Sequence, residues 1–223
     1  MDPREHAITI EVADAVAGRG EIEGDLRLPP GPNGLVIFAH GSGSSRRSPR
    51  NRMVAAHLNQ AGFATLLFDL LTAAEEDVDV RTRHLRFDIV LLAGRLLAAG
   101  EVVAERTDTA DLPVGTFGAS TGAAAALVAA GERPGSARAV VSRGGRPDLA
   151  GDALPLVQAP TLLIVGSRDH EVIGMNQEAA AHMTCEREIA IVAGATHLFE
   201  EPGTLEEAAR LATDWFGRHL SAG

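Results

Sequence analysis

The run VGTFGASTGAAAALVAA, from Val114 to Ala130, changes character halfway along. Val114 to Phe117 reads as a short buried strand. Ser120 to Ala130 is rich in Ala and Leu and reads as a helix closed by Gly131. Between them stands Gly118-Ala119-Ser120-Thr121-Gly122, a G-x-S-x-G pattern. A strand that turns this sharply into a helix strains the middle serine and exposes its hydroxyl. The helix N-terminus aims free N–H groups and a positive dipole end at the same point. In a chain with 24 glycines the pattern alone says little. Placed between a strand and a helix, it marks Ser120 as a candidate nucleophile. The plain alternative is a helix-capping serine in a Gly-rich turn.

Working outward, short β-rich runs alternate with helical periods, the mark of βαβ units around a mostly parallel sheet. Upstream, Ile8 to Val12 and Gly24 to Leu28 suggest a hairpin, and Leu35 to Ala39 a buried strand ending in a Gly41 to Ser45 loop. Ser48 as N-cap, Pro49 at the first helical position and Gly62 past the end bound a helix with an apolar stripe of Val54, Leu58 and Ala61. Phe63 to Phe68 is the next strand. A polar, acidic loop is expected over Thr72 to Val80, then a helical period on Leu85, Ile89, Leu92 and Leu96. Downstream, strands are expected over Ala139 to Ser142, Thr161 to Val165 and Glu188 to Val192, with a helix over Val172 to Met183. Thr204 and Glu207 read as a capping box opening a last helix whose buried face is Ala208, Leu211, Ala212 and Trp215. The whole predicts one α/β domain over residues 1–223. It has an eight-strand sheet, antiparallel at its start and parallel after, with helices on both faces. Between Arg143 and Val157 there is no room for a large cap domain.

Composition excludes several chemistries. The 223 residues contain no Lys and no Tyr, so a Walker-type lysine, a Schiff base and a Tyr/Lys proton relay are all ruled out. The single Cys185 cannot form an internal disulfide or a multi-Cys zinc site. It reads as a small buried hydrophobe. No G-x-G-x-x-G opens a helix after the first strands, so no nucleotide cofactor is expected, nor a metal. Thirty acids against 20 arginines, a net charge of −10, disfavour nucleic acid and anionic membrane as partners. Met1 to Ile10 has no apolar core of a leader, and no apolar run is long enough to span a bilayer. A cytoplasmic protein, monomer or homodimer, is the expectation.

A serine hydroxyl needs a base, and the base needs an orienting acid. Of eight histidines, His197 lies in Ala193-Gly194-Ala195-Thr196-His197, just after the last strand, where ligands sit in open α/β folds. His57, His84, His182 and His219 read as surface residues on helices. Asp169 follows the strand Thr161 to Val165 through Gly166-Ser167-Arg168, on the same edge. The order Ser120, Asp169, His197 is that of α/β-hydrolases. Asp148, after the strand Ala139 to Ser142, is the rival acid. An acyl-transfer site also needs backbone donors for the oxyanion. The N–H of Thr121 supplies one. The loop His40-Gly41-Ser42-Gly43 supplies the other, through Ser42, with Gly43 the rival donor. Gly41 and Gly43 let this loop turn close over a substrate.

Arg46, Arg47 and Arg50 follow that loop, and Arg143 and Arg146 follow a neighbouring strand. A guanidinium fork suits carboxylate or phosphate, which points to an anionic substrate with Arg143 as its first contact. In a protein without Lys, these are equally the ordinary surface cations. Leu71, Met175 and Phe199 are candidate pocket walls.

The motifs HGSGSS, GASTG, GSRDHEV and GATHLFEEPG together resemble the dienelactone hydrolase family of the α/β-hydrolase superfamily, over nearly the whole chain. The resemblance implies Ser120 as nucleophile, Asp169 as acid, His197 as base, and a small-molecule ester or lactone as substrate. The family's namesakes carry Cys where this chain has Ser120, which favours a general carboxylesterase activity. The chain looks more like the actinobacterial branch of small serine hydrolases, members of which also occur fused to a phosphoribosyltransferase domain; no such second domain is expected within these 223 residues. The same residues would serve an acyltransferase or thioesterase, or a binding module with little turnover.

Overall fold

The computed structural model describes residues 4–220. In chain order, β1 (Glu5–Asp14) and β2 (Gly18–Arg27) form an antiparallel hairpin, followed by β3 (Leu35–Ala39), α1 (Pro49–Gln60) and β4 (Ala64–Phe68). Then come α2 (Ala73–Thr82), α3 (Ile89–Glu105), β5 (Val114–Ala119), α4 (Thr121–Glu132) and β6 (Ala139–Arg143). The chain ends with β7 (Thr161–Gly166), α5 (His170–His182), β8 (Arg187–Val192) and α6 (Thr204–His219), and short 3-10 segments cover Leu85–Phe87 and Pro147–Leu156. One eight-stranded sheet runs in the order β1-β2-β4-β3-β5-β6-β7-β8. β2 pairs antiparallel with β4, and every pairing from β4 to β8 is parallel. This is the α/β-hydrolase fold.

The strands β3, β4, β5, β6 and β7 are buried almost throughout, so they read as apolar runs instead of alternating. Period two still sorts their side chains. Val36 and Phe38 pack with Val54 and Leu58 of α1 and Trp215 and Phe216 of α6. Leu35 and Ile37 face the other way, onto Leu92 and Leu96 of α3 and the alanines of α4. Helices therefore cover both faces, and the loops at the parallel strands' C-terminal ends share one rim.

Several local expectations fail for identifiable reasons. Thr72 to Val80 is not a loop. Thr72 and Glu75 form a capping box, and Glu75 and Asp79 are buried on α2. Glu75 is fully enclosed because Arg95 of α3, itself 4% exposed, pairs with it at 2.6 Å, while the amides of Ala15 and Thr72 donate to its carboxylate at 2.8 and 3.0 Å. Gly131 does not close α4 but lies within it, where a Cβ would come 2.8 Å from the Ala153 carbonyl oxygen of the 3-10 segment packed alongside. Thr204 is not a cap. Gly203, at φ +82°, caps α6, and the Thr204 hydroxyl donates back to the Glu201 carbonyl at 2.7 Å. Ala61 is exposed at the end of α1, and Leu211 is half-buried. His219 is half-buried too, its ring 4.5 Å from that of Trp215. The stretch read for a leader, residues 1–10, lies outside the described residues at positions 1–3. Among the described residues no helix is long and apolar enough to cross a membrane.

Candidate active site

The turn from β5 to α4 holds Ser120 at φ 51° and ψ −122°, a left-handed backbone that costs a non-glycine residue energy. Its neighbours impose this. A Cβ on Gly118 would lie 2.3 Å from Ala123 Cα, and one on Gly122 would lie 2.3 Å from the Ala39 carbonyl oxygen. Both glycines are required by close backbone approach, so the strand and helix meet with Ser120 at the apex. Its amide donates to the Arg143 carbonyl at 3.4 Å, and its own carbonyl accepts from Arg146 at 3.2 Å, tying the turn to the end of β6. Gly41 of the preceding loop packs on Ser120, where a Cβ would come 3.1 Å from the serine Cβ.

Asp169 and His197 come from loops after β7 and β8 that are stitched together. The Ser167 amide donates to Val192 and the Arg168 amide to Ala195, both at 2.9 Å, and the Ser167 hydroxyl accepts from the Gly194 amide at 2.8 Å. Across this seam Asp169 Oδ2 lies 2.7 Å from His197 Nδ1. The acceptor on that side places the proton on Nδ1 and leaves Nε2 as the free base. His197 and Ser120 line one cleft of about 210 Å³, together with Gly41, Ser42, Arg50 and Arg143. Within it the serine hydroxyl and the imidazole make no direct hydrogen bond. Asp148 is elsewhere engaged: Arg146 grips it with two bonds of 2.9 and 2.7 Å.

Thr121 is the first residue of α4, where a backbone N–H has no intrahelical acceptor. The Ser42 amide is occupied, donating to Thr121 Oγ1 at 2.9 Å. Gly43, at φ +69°, carries the loop past Arg86. Beneath the loop, His40 is buried, with its Nδ1–H donating to the Gly41 carbonyl at 2.9 Å and its Nε2 accepting from the Leu70 amide at 3.2 Å. Its burial holds the imidazole below its ordinary pKa, against the opposing effects of the Gly41 carbonyl and Asp69. This structural histidine fixes the loop, a role that a bare His-Gly dipeptide does not announce.

Arg143 is 7% exposed and lies 5.6 Å from the Phe199 ring, measured from its guanidinium carbon to the ring centre. Phe199 is itself buried, at φ +56°. Burial, with Arg50 nearby, lowers the Arg143 pKa to about 10, so it remains a cation at neutral pH. Arg46 is drawn away from the cleft to Asp69, Glu23 and Asp25. On the far side of the Gly41 to Ser45 loop is a second cavity of about 550 Å³, which Ser42 and Thr121 also line and of which Leu71 is a wall. Met175 lines neither space. Among the described residues no three His, Cys, Asp or Glu side chains converge as a metal site requires.

Comparison with known proteins agrees with this fold. A crystal structure of a dienelactone hydrolase from Anabaena variabilis is 55% identical, covers 99% of this chain and all of that one, and superposes with a TM-score of 0.92. Est1E from Butyrivibrio proteoclasticus, at 16% identity, shares the fold, with a TM-score of 0.76 over 96% of this chain and 98% of its own. A Mycobacterium tuberculosis protein that carries a provisional phosphoribosyl transferase name is 60% identical over 94% of this chain. The chain spans only 46% of that relative's length. The model of the dienelactone hydrolase family matches residues 22–220, and the chain belongs to that family.

Proposed function

We propose that this chain is a serine hydrolase that cleaves small carboxylic esters or lactones through an acyl-enzyme. The observation that carries the reading is the 2.7 Å Asp169–His197 pair in one cleft with a serine held at the apex of a strained strand-to-helix turn. Asp169 fixes the tautomer in which His197 Nε2 is unprotonated. Nε2 takes the Ser120 proton as Oγ attacks the acyl carbon. The Thr121 amide and the Ser42 amide, the latter released from Thr121 Oγ1, stabilise the oxyanion. The imidazolium protonates the leaving oxygen, and water then repeats the sequence on the acyl-enzyme. The family and the hydrolase neighbours support this class of reaction. The transferase name belongs to a relative more than twice as long.

Turnover of p-nitrophenyl acetate by wild type and Ser120→Ala tests the reading. Ser120→Ala is expected to fall to background with an unchanged circular dichroism spectrum. Full activity in that variant would remove Ser120 from the mechanism. Labelling by a fluorophosphonate separates an enzyme from a binding module, and competing alcohols or thiols as acyl acceptors separate hydrolysis from transfer.

A further inference from the structure

Asn176 sits fully enclosed on α5, the helix that Asp169 caps. Its Nδ2 has two hydrogens and two acceptors. One is the Val172 carbonyl of its own helix at 2.8 Å, and the other is the Gly145 carbonyl at 3.1 Å. This pair of acceptors fixes which way the carboxamide points. Its Oδ1 is buried and, among the described residues, accepts from nothing. A buried acceptor without a donor costs stability, and Leu would fill much the same volume without that cost. The carboxamide is thus a poor choice for packing, and what it adds is the grip on Gly145.

Gly145 belongs to the segment Arg143-Gly144-Gly145-Arg146 that leaves β6, and this segment adjoins both reacting groups. The Ser120 amide donates to the Arg143 carbonyl at 3.4 Å and the Arg146 amide donates to the Ser120 carbonyl at 3.2 Å, so the segment brackets the nucleophile. Gly144, at φ +51°, faces the base. A Cβ there would lie 3.0 Å from the His197 carbonyl oxygen and 3.8 Å from its imidazole Cε1. A Cβ on Gly145 would lie 2.6 Å from the Ala123 Cβ, in the first turn of α4. The segment is therefore wedged between the serine turn and the histidine loop. The Gly144 amide ties its start to the Ile164 carbonyl at 2.8 Å. Two glycines offer no side chain to hold the middle, and Asn176 holds it from α5. The serine hydroxyl and the imidazole make no direct hydrogen bond at rest, so small displacements of this wedge decide whether they reach the geometry of proton transfer.

We propose that Asn176 is a positioning residue of the hydrolytic site. By clamping the Gly145 carbonyl to the helix that Asp169 opens, it sets the spacing between Ser120 Oγ and His197. It touches neither substrate nor reacting atoms. The inference rests on the roles given above to Ser120, Asp169 and His197.

The test compares Asn176→Leu and Asn176→Ala with wild type and with Ser142→Ala. Asn176→Leu removes the unpaired Oδ1 while the Gly145 carbonyl loses its donor, so the thermal midpoint should move by less than about 4 °C. The kcat/KM for p-nitrophenyl acetate and the rate of fluorophosphonate labelling should both fall at least about tenfold, since a misplacement of about 1 Å can cost roughly a hundredfold. The inflection of kcat/KM with pH should stay at its wild-type position, because the Asp169–His197 pair is untouched. Asn176→Ala should show the same kinetic pattern at a lower midpoint, as it also opens a cavity. Ser142 Oγ is another buried oxygen without a partner, and it would lie 2.0 Å from a Cβ on Gly145. Ser142→Ala removes that oxygen and leaves the clamp, so kcat/KM should stay within about threefold of wild type. Wild-type kcat/KM and labelling in a folded Asn176→Leu overturn the proposal. A shifted pH inflection overturns it too, by placing the effect on the charge of His197, as does an equal loss in Ser142→Ala. Failure of both Asn176 variants to fold also overturns it, since the carboxamide would then serve stability. Undiminished activity of Ser120→Ala would instead strike the mechanism on which the proposal rests.

Discussion

Thr121→Val removes one oxygen atom from the oxyanion site and leaves its backbone in place. In the resting protein that oxygen accepts the Ser42 amide at 2.9 Å. A neutral hydrogen bond of this kind, partly buried, contributes about 1 kcal/mol net. If Ser42 donates to the oxyanion, it must leave Thr121 Oγ1 on the way to the transition state. The bond then stabilises the free enzyme and not the transition state. Its deletion should lower the barrier by about 1 kcal/mol, or raise kcat/KM about fivefold. It should also lower the thermal midpoint by about 2–4 °C, as expected for a domain of this size. Steady-state kinetics on p-nitrophenyl acetate and a thermal melt measure the two effects, which have opposite practical signs. A drop of tenfold or more (~1.4 kcal/mol) in a normally folded variant would refute the reasoning, because the hydroxyl would then itself serve the transition state. An unchanged kcat/KM with the lower midpoint would move the second donor from Ser42 to Gly43.

Asp169→Asn should lower kcat by about a thousandfold or more by spoiling the His197 tautomer, whereas Asp148→Asn, which loses only the grip of Arg146, should stay within about threefold of wild type; kcat for the two variants decides between them. Glu75→Ala leaves Arg95 buried without its counter-charge and should cost about 3–5 kcal/mol in urea unfolding, most of it recovered when Arg95→Met is added. Stability should fall on acidification. Burial depresses the His40 pKa below 6.5, so the folded state resists a proton that the unfolded chain accepts, and stability is lost as the pH falls below 6.5 toward the folded value. The slope is at most about 1.4 kcal/mol per pH unit for this one proton. Burial pushes Asp79 up, but Arg86 and the Arg86 and Leu85 amides outweigh it and depress its pKa below 3.8, adding a second loss of the same sign at lower pH. Urea midpoints between pH 4 and pH 8 (~ the span of the His40 effect) should rise with pH, and a flat profile would contradict the His40 assignment.

The succession of strands and the rim of loops are legible in the sequence because buried parallel strands leave apolar runs and the segments after them are short, polar and Gly-rich, whereas the spatial order of the strands is not. Asp169 and His197 could be paired by their places after successive strands, and the structure supplies the seam between Ser167 and Gly194 that makes the pairing geometric. What escapes is whatever depends on a distant partner. The acids of α2 look solvated until Arg95 and Arg86 are brought to them from outside that helix. Gly131 resembles a helix terminator until the 3-10 segment packs on it. Arg143 looks like one of 20 interchangeable cations, and only its enclosure beside Phe199 sets it apart. The occupied Ser42 amide has no sequence signal, since any threonine after the serine would read the same.

Arg143 and Ser120 are joined through the sheet: β6 pairs with β5 at Ala119 and Arg143, and the Ser120 amide donates to the Arg143 carbonyl. The backbones that bear the buried guanidinium and the strained serine are thus mounted on adjacent rungs of one ladder. A backbone displacement at either position is therefore felt at the other, and the conformation of the serine turn is set partly by the neighbouring strand.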